Sequence, residues 1–172
     1  IGTNSKAISY DYLKPDGTYQ KTGSATALGA FAMATGGGSP LALGDQARAY
    51  GYNSVAIGGN ANSAGTIAEG DFAMALGAGA KATKASTNGV AVGNGALVSA
   101  NNAFAFGISA ESSAANAIAF GAYTKSTGEN AAAFGVNNQA LANNVSILGS
   151  SNKVETANTG VVGSNNTISP TA

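Results

Sequence analysis

Residues 103–107 read AFAFG, residues 117–121 AIAFG and residues 131–135 AAAFG, one short apolar run closed by glycine and returning every fourteen residues. The same run recurs outward in both directions, as ATALG, PLALG, SVAIG, AMALG and GVAVG towards the N-terminus and VSILG and TGVVG towards the C-terminus. The closing glycines are Gly29, Gly44, Gly58, Gly77, Gly93, Gly107, Gly121, Gly135, Gly149 and Gly163, spaced 15, 14, 19 and 16 residues and then 14 five times. A period in this range, repeated ten times, is the signature of stacked structural units rather than of one irregular core.

Within each run the residue before the glycine is large and apolar (Leu28, Leu43, Ile57, Leu76, Val92, Phe106, Phe120, Phe134, Leu148, Val162). Three before the glycine a second apolar residue recurs, as in Leu41, Val55, Met74, Val90, Phe104 and Ile118. Alternation of period two with β-branched and aromatic residues predicts a strand. After the glycine comes a segment whose third, fifth and seventh positions are small (Ala96, Val98, Ala100; Ala110, Ser112, Ala114) and whose intervening positions are often polar (Lys81, Glu111, Lys125, Lys153). That is a half-exposed strand. Each repeat is therefore two short strands and two tight turns, and stacking them gives parallel sheets at about 4.8 Å per coil. The fold class expected is all-β, a parallel β-roll or solenoid of about fourteen residues per coil.

Composition narrows the function. Only 9% of the 172 residues are charged, against roughly 25% in an ordinary domain. Eight Lys+Arg balance eight Asp+Glu, so no field draws in nucleic acid or an anionic membrane. Low charge with much Gly, Ser and Asn is compatible with disorder, but 44% apolar residues placed in register are not. No His or Cys is present, and the acids Asp11, Asp16, Asp45, Glu69, Asp71, Glu111, Glu129 and Glu155 fall at different places in their repeats. They do not stack into a catalytic pair. Glu69 and Asp71 alone make a poor calcium site, and no register of threonines offers an ice-binding ladder. The expectation is a protein that is not an enzyme, with no cofactor and no metal. No hydrophobic run is long enough for a membrane-spanning helix, and a start at Ile1 rather than Met makes a piece of a longer chain the expectation.

The glycine-terminated strand is apolar on both faces, which normally means burial on both. The expectation is that its large residues fill the coil, with a ladder of Phe106, Phe120 and Phe134, and that the alanines between them face outward. On that reading Ala56, Ala75, Ala91, Ala105, Ala119 and Ala133, continued by Ile147 and Val161, form an interface between chains. The larger Ile147 and Val161 predict a change of oligomer geometry near the C-terminal end.

Breaks in a regular rod mark where function is carried. The turn Arg48–Tyr52 brings a cation and two aromatics, Tyr50 and Tyr52, and reads either as a binding patch or as tyrosines packed over neighbouring coils. The long coil between Gly58 and Gly77 points to a protrusion around Thr66–Phe72 with Glu69, Asp71 and Phe72, and reads either as a site or as a tolerated insertion. Tyr123 is a lone aromatic in a turn. These seven residues are the candidate ligand-binding set, since Tyr and Arg are favoured anchors. Residues 1–23 do not follow the repeat; residues 6–13 or 18–21 are expected to cover Phe31 and Met33 and cap the roll, leaving residues 24–170 as the repeat domain.

Asn53–Gly58 is NSVAIG, and Gly77–Thr83 continues in the same style as GAGAKAT. Over residues 24–168 the sequence resembles the head of the YadA-like trimeric autotransporter adhesins. The resemblance implies a left-handed roll, a homotrimer about a threefold axis, and display at the bacterial cell surface on a stalk anchored in the outer membrane. It implies as ligands a host receptor, CEACAM-like or another glycoprotein, or a matrix protein such as collagen. The alternative function is a spacer roll that holds other binding domains away from the cell and has no ligand of its own.

Overall fold

The computed structural model describes residues 2–9, 12–13, 19–20, 23–59 and 65–170. Two parallel sheets face each other across a thin interior. One has ten strands, from Thr26–Leu28 through Phe104–Phe106 and Ile118–Phe120 to Gly160–Ser164, and these are the ten glycine-terminated runs. The other has eleven, from Lys6–Ala7 through Lys81–Ala82 and Lys125–Ser126 to Thr167–Ile168. Coils stack in strict register: Phe104 beside Ile118, Ala105 beside Ala119, Phe106 beside Phe120. The parallel solenoid expected from the glycine spacing is the fold.

The glycine is required twice over. It holds φ between 117° and 151° from Gly29 to Gly163, a region that L side chains rarely adopt. A Cβ on any of Gly29, Gly44, Gly93, Gly121, Gly135 or Gly149 would also overlap the glycine carbonyl of the next coil.

The orientation of the glycine-terminated strand is the reverse of the one expected. Ala56, Ala75, Ala91, Ala105, Ala119 and Ala133 are wholly buried inside their own chain, and Ile147 and Val161 follow them inward. They are not available to a second chain. The large residues point out: Phe120 is 52% exposed and Leu148 58%. The phenylalanine ladder does form, on the outside, with ring centroids 5.6 Å apart from Phe106 to Phe120 and 6.1 Å from Phe120 to Phe134. Space is the reason. The eleven-stranded sheet presents Ala82, Val98, Ser112, Ser126 and Ala140 to the same interior, and the turns that join the sheets are only a few residues long, so the gap between them accepts methyl-sized groups.

Polar groups inside are paired across coils. Thr124 Oγ1 donates to the Gly135 carbonyl at 2.7 Å, and in the last coils Asn138 and Asn152 take the same role towards Gly149 and Gly163, each at 2.7 Å. Asn152 Nδ2 also donates to Asn138 Oδ1 at 3.0 Å, so the far end of the roll is tied by a buried amide ladder. At its surface the Glu155 carboxyl is held below its ordinary pKa by the Lys153 ammonium and the Ser169 hydroxyl. Ser54 is an exception, fully buried with its hydroxyl unpartnered, where Ala73, Ala103, Ala117 and Ala131 hold the corresponding place. Ser54→Ala is expected to stabilise the chain by about 1–2 kcal/mol, because the desolvation cost of the hydroxyl disappears; a melting curve checks it.

The N-terminal segment begins as part of the roll itself. Gly2 lies over Gly29, Asn4 takes the left-handed turn conformation at φ 56°, and Lys6–Ala7 pairs in parallel with Met33–Ala34. Residues 2–9 are thus half of a further coil. An antiparallel hairpin, Tyr12–Leu13 with Tyr19–Gln20, follows before the next strand. Phe31 is 50% exposed, while Met33 has Lys6 beside it in the sheet; residues 10–11, 18 and 21 of the expected cap lie outside the described set.

Candidate surface site

Each coil has two corners, one at the glycine and one where the chain returns from the eleven-stranded to the ten-stranded sheet. In the regular coils the return corner carries one asparagine in the left-handed conformation: Asn88, Asn102, Asn116, Asn130, Asn144 and Asn158, all at φ 53–57°. Asparagine tolerates that conformation because its short amide bonds locally. Here the amides also bond each other from coil to coil, Asn116 Nδ2 donating to Asn130 Oδ1 at 3.0 Å and Asn144 to Asn158 at 3.0 Å.

Phe72 replaces asparagine in that column. It has φ 55° and is 53% exposed. A bulky aromatic gains nothing from the left-handed turn, and such local departures from the favourable residue collect where function overrides stability. Its ring meets Tyr52 edge to face, with centroids 5.4 Å apart. Two backbone-anchored contacts fix the pair: Phe72 N–H donates to the Tyr52 carbonyl at 2.7 Å, and Tyr52 N–H donates to Asp71 Oδ1 at 2.8 Å. The two regions singled out in the sequence therefore form one patch.

Gly51 and Gly70 are buried at the sharpest point of this corner, and a Cβ on Gly51 would overlap the Gly70 carbonyl. Tyr50 and Tyr52 consequently emerge on either side of Gly51. Tyr50 turns onto the outer face, where its hydroxyl lies 3.7 Å from Met33 Sδ. There Tyr50, Glu69 and Lys84 line an open depression of about 300 Å³. Arg48 lies two residues before Tyr50 on the same face of its strand, beside Ile67. Lys84 had no sequence signal except the two extra residues between Gly77 and Gly93, which lengthen this same corner.

One expectation is corrected in position. Thr66 is buried, donating from Oγ1 to the Gly77 carbonyl at 2.6 Å, and Ile67–Ala68 is a regular strand. The length inserted after Gly58 therefore precedes Thr66, and Glu69–Phe72 is a turn of ordinary length. Tyr123 stands apart from the patch, at the glycine corner several coils further along; it is 60% exposed with φ 57°.

The model of the YadA head domain repeat matches residues 41–61, 68–96, 85–110, 99–124 and 126–145, more than half of the chain. The chain belongs to the YadA head family. No curated protein matches it over its sequence. YadA heads are adhesin heads of trimeric autotransporters rather than enzymes, and belong to surface proteins anchored in the outer membrane. Among the described residues of this YadA head, no helix is long and apolar enough to cross a membrane, and no three His, Cys, Asp or Glu side chains converge on a metal position.

Proposed function

We propose that this chain is the exposed head of a homotrimeric adhesin, that three copies pack through the outer faces of their ten-stranded sheets, and that the patch around Tyr52 and Phe72 contacts the host surface, through a glycoprotein receptor or a matrix protein. The observation that carries the assembly is the outward pair of columns before the glycines. Leu28, Leu43, Leu76, Phe104, Phe120, Phe134, Leu148 and Val162 are each exposed by a third or more, in a band that ten strands extend to about 45 Å. Soluble monomers rarely leave so large a contiguous apolar surface uncovered. The contact patch is supported by its composition of Tyr, Phe, Gly and Asn with a few charges, the make-up of surfaces that bind by rigid aromatic anchors.

Phe72→Asn tests the patch, because it restores the residue found in the regular coils. The substitution is expected to keep or slightly raise the melting temperature while lowering binding to cultured host cells at least tenfold. Unchanged binding would move the contact elsewhere on the rod. A trimer that binds neither cells nor matrix proteins would support the spacer reading instead.

A further inference from the structure

We infer that the depression between Tyr50, Glu69 and Lys84 is a subsite for a single sugar ring of a host-surface glycan, an inference that rests on the adhesin reading above and names the chemistry of its ligand. Three side chains of different kinds meet there: an aromatic ring with a hydroxyl, a carboxylate and an ammonium. Among the described residues neither Glu69 nor Lys84 forms an ion pair, whereas Lys125 pairs with Glu111 at 2.9 Å and Lys153 with Glu155 at 2.6 Å further along the same sheet. An acceptor-only group and a donor-only group thus face one depression with their capacity unspent.

The residues exclude several ligand classes. The Glu69 carboxylate inside opposes a polyanion. One carboxylate beside an ammonium is no site for a divalent cation, which takes six or more oxygens. A wholly apolar ligand would strip water from two charges without replacing it. An extended peptide usually docks by adding a strand to a sheet edge, but along the side of the roll every strand is already paired on both sides. A pyranose meets each requirement. Its hydroxyls donate to Glu69 and accept from Lys84, its C–H face lies against the Tyr50 ring, and at about 300 Å³ the space is at the small end for a ligand site. The Tyr52–Phe72 pair, around the corner, extends the aromatic surface for the next sugar along the chain.

The test uses the whole chain in solution. Saturation-transfer NMR with the methyl glycosides of the common hexoses and N-acetylhexosamines at millimolar concentration, and an array of defined mammalian glycans, measure binding directly. At least one glycoside is expected to receive saturation from the protein, and the array to select glycans ending in it. Glu69→Gln, which keeps the shape and removes the charge, is expected to weaken that binding about tenfold with an unchanged melting curve, and Tyr50→Ala to abolish it. Host cells treated with periodate, which cleaves vicinal diols, are expected to lose adhesion. Adhesion that survives periodate and is lost only to protease would overturn the sugar subsite and leave the adhesin reading standing, with a peptide surface as ligand. Absence of adhesion to untreated cells would overturn both.

Discussion

Phe120→Asp is expected to take the proposed trimer to monomer at micromolar concentration, with its β-sheet circular dichroism retained. Phe120 stands in the middle of the outward column, 52% exposed and stacked between Phe106 and Phe134. About half of its surface is therefore left for a neighbouring copy to cover, or roughly 1 kcal/mol per chain. The larger effect is the carboxylate, whose burial in an apolar contact costs several kcal/mol even after relaxation. Over three symmetric copies the loss comes to at least about 5 kcal/mol, which is more than a thousandfold in association. Sedimentation equilibrium reads the mass directly. A trimer that survives the change would mean that the chains meet on another face. The neighbouring Ala119→Leu separates the two orientations of this strand. It is expected to destabilise each chain by about 1–3 kcal/mol through overpacking, with no specific effect on association.

Gly121→Ala should be among the most damaging single methyls in the molecule. Gly121 holds φ 128°, and the added Cβ would overlap the Gly135 carbonyl of the next coil. Backbone strain of this kind costs about 1–3 kcal/mol, and the overlap is with backbone, which moves only if the coil spacing opens. A total near 3 kcal/mol or more corresponds to a fall in melting temperature of about 6–12 °C for a chain of this size. Because each coil touches only its neighbours, the break is expected to uncouple the two halves of the rod, so unfolding should lose its single step. Gly59 provides the contrast: among the described residues nothing lies within 4 Å of a Cβ built there, and Gly59→Ala should leave the melting curve almost unchanged. A single cooperative transition at the original temperature for Gly121→Ala would contradict the close-approach account.

The glycine repeat made the strands, their parallel stacking and the coil length legible before any coordinates. Which face of the glycine-terminated strand turns inward was not legible from alternation, since period two groups residues by face without saying which face is covered. A signal was available in the variation itself. Alanine holds the middle position in eight coils, whereas the flanking position moves freely among Leu, Ile, Val and Phe. A close-packed interior of fixed thickness tolerates little change in volume, so the constant column is the enclosed one. The opening half-coil at residues 2–9 was hidden for a different reason. Its glycine is followed by the hairpin excursion, and the next one, Gly29, comes 29 − 2 = 27 residues later, so the spacing no longer advertises the period. The surface patch was half legible: Tyr52, Asp71 and Phe72 stood out as irregularities, but their meeting across coils, and the arrival of Lys84 beside Glu69, depend on the register of the stack.

One column described above changes size along the rod. Three residues before the glycine the sequence runs Phe104, Ile118, Ala132, Ser146, Gly160, and a hollow of about 240 Å³ opens on the outer face beside Ser146 and Gly160. In the proposed trimer, backbones held apart by phenylalanine at one level come close at the level of glycine. Over these five coils the proposed bundle tapers, and a taper has a direction. Three such rods match only when the phenylalanine levels meet, so the diminishing side chains would give the assembly its polarity: a chain entering upside down would set Phe104 against a narrow level and leave a void where the taper should close.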